Sequence, residues 1–141
     1  MKKILIINSN YYKNISKNLQ DQAIKKLTIS NTKISVLDVP GAYEIPAAIR
    51  KNIKKFDAFV VLGCVIKGET PHFGLLCSSV FNSILQISIQ FNKPIGNGII
   101  TALNIKQARA RSVKYGSKKP NKGYEAASAV LSVLKNEPKK I

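Results

Sequence analysis

A chain of 141 residues has room for one hydrophobic core and not for a second domain. Its 45% apolar and 21% charged residues exclude a disordered polymer, and no unbroken apolar run approaches the ~20 residues that a membrane-spanning helix needs. A formal net charge of +16 raises the question of an anionic partner, from small phosphorylated molecules to nucleic acid.

From the amino terminus, residues 3–8 (KILIIN) are apolar and β-branched and predict a first strand. The lysines ahead of them suggest a signal peptide. The run is shorter than the roughly 7–15 apolar residues of such a segment, and no small-residue cleavage site follows, so a cytoplasmic protein is expected. Ile15, Leu19, Ala23 and Leu27 recur at i, i+4 and mark one face of a helix over 15–27. Residues 33–39 (KISVLDV) predict the second strand, closed by Pro40-Gly41, and 44–53 a helix that tolerates Pro46 in its first turn. Residues 59–66 (FVVLGCVI) are apolar throughout, the pattern of a central parallel strand covered on both faces. A long helix is expected from Pro71 to about Gln90 and a fourth strand over 95–101. Asn104 can cap a helix over 105–113, and a polar loop with Gly116, Pro120 and Asn121 leads to a last helix over about 123–134. The charged tail 136–141 is expected to fray.

Strands alternating with helices predict an α/β fold, a three-layer α/β/α sandwich of flavodoxin-like type around a four-stranded parallel sheet. Ligands of such sheets bind beyond the carboxyl ends of the strands, which directs attention to segments 9–12, 40–44, 67–72 and 101–104. The lysines are scattered singly or in pairs (Lys25-Lys26, Lys54-Lys55, Lys118-Lys119), without interleaved aromatics, and only Arg50, Arg109 and Arg111 carry guanidinium groups. Nucleic acid is therefore not expected as the main partner. Cys64 in an apolar strand and Cys77 on an apolar helix face read as reduced core residues, and no cluster of metal ligands is present.

The sharpest segment is 63–73, GCVIKGETPHF: a buried strand ends in a glycine-containing turn and a helix starts at once. Thr70 is the expected N-cap with Pro71 at the first helical position. That sets His72, the only histidine, beside unpaired N–H groups at the positive end of a helix dipole, a place that favours a neutral imidazole able to relay protons, and a cradle for an anion. The same pattern also describes a surface histidine after a tight βα turn, and the turn lacks P-loop spacing. In VPGAYEIP (39–46), Glu44 either accepts hydrogen bonds from a polyol or merely suits a helix start. Arg111, at i+4 from Gln107, is either a bidentate phosphate clamp or a solvated helix residue. Tyr11 and Tyr12 either stack on a heteroaromatic ring or pack.

The order VPGAYEIP, LGCVIKGETPHF, a fourth strand ending IIT, NIKQARAR and PNKGYEAA resembles bacterial lumazine synthases from the first strand to the final helix. The resemblance implies condensation of 5-amino-6-(D-ribitylamino)uracil with 3,4-dihydroxy-2-butanone 4-phosphate to 6,7-dimethyl-8-ribityllumazine, with release of phosphate and water and with no metal or redox cofactor. It implies that Tyr11 stacks on the pyrimidine, that Ala42, Tyr43 and Glu44 hold the ribityl chain, and that Val65, Ile66 and Lys67 line the ring. By the same carry-over Glu69, Thr70 and Arg111 bind phosphate, with Lys122 a weaker match nearby, His72 transfers protons, and Asn97 touches substrate from a neighbouring subunit. It further implies a homo-oligomer (pentamer, decamer or shell of sixty subunits) with active sites between subunits.

Three positions depart from the family pattern: Gly74 where an acidic residue is common, Lys67 where arginine is common, and Asn97 where an aromatic residue is common. Competing readings are an archaeal-type riboflavin synthase relative, a basic nucleic-acid-binding α/β module, and a shell protein without activity. The riboflavin synthase joins two lumazines and needs no phosphate clamp, so Arg111 and the turn at 68–70 speak against it. The nucleic-acid module leaves His72 unexplained.

Overall fold

Strands β1 (Lys2–Ser9), β2 (Thr32–Val39), β3 (Ala58–Ile66) and β4 (Ile95–Ala102) form one parallel sheet in the order β2-β1-β3-β4. They alternate with helices α1 (Lys13–Thr28), α2 (Ile45–Asn52), α3 (His72–Phe91), α4 (Ile105–Ala110) and α5 (Lys122–Lys135), with a short 3₁₀ turn at Ala42–Glu44. This computed structural model describes residues 1–114 and 120–141; Gly116 and the Lys118-Lys119 pair lie outside the described residues.

The two-residue period of a strand sorts the core into two halves. Even-numbered Ile4, Ile6, Val60, Leu62 and Ile100 pack with Ile15, Leu19, Ala23 and Leu27 of α1 and Ala126, Ala127 and Val130 of α5. Odd-numbered Leu5, Ile7, Phe59, Val61 and Ile99 pack with Ile45 and Ile49 of α2 and Val80 and Ile84 of α3. The flavodoxin-like α/β architecture expected from the alternation is therefore the one observed. The interior strands β1 and β3 are each paired on both edges and buried over residues 4–9 and 58–64, whereas β2 and β4 are edge strands.

Two glycines let the layers close. A Cβ on Gly96 in β4 would lie 2.3 Å from the backbone oxygen of Ala126, and one on Gly123 at the start of α5 would lie 2.2 Å from that of Leu19. Helix α5 thus rides directly on β4 and α1. Asn121 caps it, its Oδ1 accepting from the N–H groups of Gly123 and Tyr124 at 2.9 and 3.1 Å.

Four expectations need correction. Pro71, not Thr70, occupies the N-cap of α3, and Thr70 makes no capping hydrogen bond; His72 is the first helical residue. Helix α4 stops at Ala110 instead of Val113, because Ser112 turns away to bridge Asn121 in antiparallel fashion, and this tertiary pairing overrides helix propensity. Helix α2 starts one residue late, after the 3₁₀ turn that takes Glu44. Cys77 is only half-buried, since α3 encloses just Val80 and Ile84, while Cys64 is buried and desolvation pushes its thiol up to about 11. At neutral pH that thiol stays protonated and inert.

Gly123→Ala should destabilise the fold by about 1–3 kcal/mol, because the new methyl meets backbone that cannot yield. Gly74→Ala, where nothing lies within 4 Å, should stabilise it by about 0.5–1 kcal/mol through helix propensity alone. Urea unfolding of the two variants beside the parent checks both signs.

Candidate active site

Residues at the carboxyl ends of β1, β2 and β3 form an open shelf. Tyr11 follows β1 and is 74% exposed; Tyr43 in the 3₁₀ turn after β2 is 73% exposed. Glu44, Lys67, Glu69, Thr70 and His72 are exposed as well, with Val65 and Ile66 half-buried beneath them and Ala42 buried. Backbone hydrogen bonds hold the strand ends level: the Asn10 N–H donates to Val39 at 3.2 Å and the Lys67 N–H to Ala102 at 2.9 Å.

The two tyrosines after β1 divide the tasks between which the sequence left them. Their rings meet edge to face, centroids 5.0 Å apart at 74°. Tyr12 packs on the core, and its phenol is pushed up chiefly by burial, with smaller contributions from Cys64 and Tyr11. Tyr11 is left with an open face, as a stacking platform requires. Glu44 lies close to Gly41, its Oε2 3.3 Å from where a Cβ would stand, so a side chain at that position would crowd the carboxylate. At the start of α3 there is no side-chain cap and no acidic residue in the first turn, so the leading N–H groups beside His72 are uncompensated.

A second group gathers elsewhere. A cavity of about 390 Å³ on the flank of β4 is lined by Asn97, Ile99 and Thr101, by Phe81 of α3, and by Arg111, Lys122 and Glu125. Asn97 Oδ1 accepts the N–H of Ile99 at 3.0 Å, which leaves its amide N–H₂ as the donor available to the cavity. Arg111, the residue just after α4, donates from Nη1 to the backbone oxygen of Gln107 at 3.2 Å. Its own carbonyl accepts from the Lys122 N–H at 2.8 Å, so the two cations share one anchored segment. Lys122 Nζ lies 3.9 Å from Glu125, an exposed pair of little energetic weight that an anion can readily displace.

The sequence-expected residues therefore fall into two sets. Asn97, Arg111 and Lys122 share one cavity, and His72, Glu44 and Tyr11 do not line it. Sequence reasoning missed Glu125 and Phe81, which do line it. Glu125 had a signal, a carboxylate three residues after Lys122 on a helix face. Phe81 had none, because an aromatic on an apolar helix reads as core.

Comparison with known proteins follows the same outline. The profile of the 6,7-dimethyl-8-ribityllumazine synthase family matches residues 1–137. The 6,7-dimethyl-8-ribityllumazine synthase of Buchnera aphidicola subsp. Baizongia pistaciae (strain Bp) is 42% identical over 139 residues, covering 94% of this chain and 86% of that protein. The protein of the same name from Bartonella bacilliformis is 40% identical, covering 93% of this chain and 87% of its own. That from Nitrobacter hamburgensis is 37% identical, covering 93% and 83%. With the profile spanning nearly the whole chain and identities well above the level at which a family is shared, this chain belongs to the 6,7-dimethyl-8-ribityllumazine synthase family.

Proposed function

We propose that this chain condenses 5-amino-6-(D-ribitylamino)uracil with 3,4-dihydroxy-2-butanone 4-phosphate, releasing phosphate and water, in the penultimate step of riboflavin biosynthesis. What carries the reading is that His72, Glu44 and Tyr11 stand open at one end of the sheet in a chain of this family. Tyr11 stacks on the pyrimidine, and the Glu44 carboxylate accepts hydrogen bonds from the ribityl hydroxyls beside Ala42 and Tyr43. Val65, Ile66 and Lys67 line the ring. The free amine attacks the ketone and loses water to give a Schiff base. Phosphate leaves by elimination to an enol that tautomerises to a new carbonyl, and the ribityl-bearing nitrogen closes on that carbonyl with loss of a second water. His72 accepts and returns the protons of these steps. The N–H groups near Glu69 and Thr70, with Arg111 and Lys122, take the charge of the departing phosphate. Holding two substrates in register supplies roughly 7–11 kcal/mol of the barrier, more than any single group.

The reading extends to a homo-oligomer whose active sites draw on two chains: the shelf from one and the β4 cavity, with Asn97 and Arg111, from the next. Two observations support it. The candidate residues are split between separate places on one chain. Helix α3, 20 residues long with a mean hydropathy of 1.3, meets the length and composition of a membrane span, yet Asn82, Ser83 and Gln86 interrupt it and Val80 and Ile84 tie it into the core. Its Leu75, Leu85 and Ile89 are 68%, 60% and 72% exposed, an apolar surface that suits contact with another copy.

His72→Ala should lower kcat about 10²- to 10⁴-fold with both KM values largely kept. Arg111→Ala should mainly raise KM for the phosphorylated substrate. Lumazine absorbance with parallel phosphate measurement reads both, and wild-type kinetics in both variants would reject the assignment. When the two variants are unfolded together and refolded as a mixture, activity at a low concentration of the phosphorylated substrate should exceed that of either parent; a mixture no better than its parents argues for sites confined to one chain.

A further inference from the structure

Arg111 sits just beyond a helix of six residues, too short to keep its shape in water unaided. Something else must set where its guanidinium lies, and the hydrogen bonds of this corner converge on Gln107. The Gln107 Oε1 accepts the N–H of Leu103, the first residue after β4, at 2.8 Å. Its backbone N–H donates to Oδ1 of the cap residue Asn104 at 2.9 Å. Its backbone oxygen accepts from Arg111 Nη1 at 3.2 Å. Asn104 thus caps the helix, while the Gln107 side chain reaches back past the cap to the residue that follows the strand. Gln107 is only half-buried and belongs to neither core cluster, so packing does not account for this arrangement.

We propose that Gln107 is a positioning residue for the reaction. By tying Leu103 to α4, its side chain fixes the short helix to the end of β4. By holding Nη1 on its own carbonyl, its backbone orients the guanidinium, so that the donors not used there face an incoming phosphate. The inference rests on the reading of Arg111 as a phosphate-binding residue. Gln107 touches no substrate itself, and it acts only through the arginine one turn further on.

Gln107→Met keeps the length and helix preference of the side chain and removes the acceptor. KM for the phosphorylated butanone should rise about three- to tenfold, the span of one lost hydrogen bond. Turnover and KM for the ribityl-bearing amine should stay within about twofold. In an Arg111→Ala background the same substitution should add nothing, because the group it positions is gone. Hydrogen exchange at the Leu103 amide should quicken, which shows that the intended bond was broken in a folded protein. An unchanged KM, an equal rise in the Arg111→Ala background, or unchanged Leu103 exchange overturns the proposal. If Arg111→Ala is impaired and Gln107→Met is not, only the positioning role falls. If Arg111→Ala handles the phosphorylated substrate like the parent, the phosphate role falls and takes the positioning role with it.

Discussion

A strand enclosed on both faces and both edges cannot offer reactive side chains along its length. Every residue of β3 from Ala58 to Cys64 is buried, and its backbone groups are spent on ladders to β1 and β4, so polar chemistry is confined to the point where the strand emerges at Ile66 and Lys67. Parallel pairing carries the same restriction to the neighbours. Register sets Ile66 opposite Ala102, and Asn8 opposite both Leu62 and Asp38, so the four strands end on one side. Tyr11, Glu44 and His72, far apart in sequence, emerge at the same end of the sheet as a consequence of how the core is buried. No separate device is needed to assemble them.

The edge strand obeys a different logic. β4 has a partner on one side only, and an open edge invites pairing with another chain. Asn97 blunts this edge by turning its side-chain oxygen onto the N–H of Ile99, and the flank opens into a cavity walled by cations instead of extending the sheet. Association through this region would therefore proceed by side chains, with Phe81 and Leu85 of α3 next to Asn97. In the reading proposed above, the departure from an aromatic residue at position 97 exchanges stacking area for a hydrogen-bond donor.

Much of this was legible in the sequence, for reasons that particular residues make clear. The strand runs announced themselves because parallel strands buried on both faces are nearly continuous in Val, Ile and Leu, and the i, i+4 spacing of Ile15 to Leu27 gave α1 directly. What escaped depended on tertiary partners. The end of α4 is set by the pairing of Ser112 with Asn121, nine residues on, which no local propensity reveals. The α3 cap moved from Thr70 to Pro71 because threonine and proline signal a helix start equally well one residue apart. The i, i+4 relation of Gln107 and Arg111 was visible, but their link runs through the glutamine carbonyl, and the glutamine side chain points back to Leu103. Cys77 looked buried because α3 is apolar, but among the described residues only Val80 and Ile84 of that helix are enclosed.

The charge of +16 bears on both halves of the functional reading, and with opposite sign. Seven carboxylates cannot neutralise twenty-three cationic side chains, so the surface field draws in a phosphorylated substrate and also resists release of the phosphate product. Glu125 in the cation-lined cavity offsets the second effect locally, beside Lys122. The same field opposes the approach of identical chains. Which effect wins is a matter of range. Charges spread over the surface act across distances at or beyond the roughly 8 Å Debye length of physiological salt. Burial of exposed side chains such as Leu75, Leu85 and Ile89 contributes about 1.5–3 kcal/mol each at contact and is not screened. Repulsion weakens with salt and an apolar contact does not, so a strongly basic surface is compatible with the assembly proposed above.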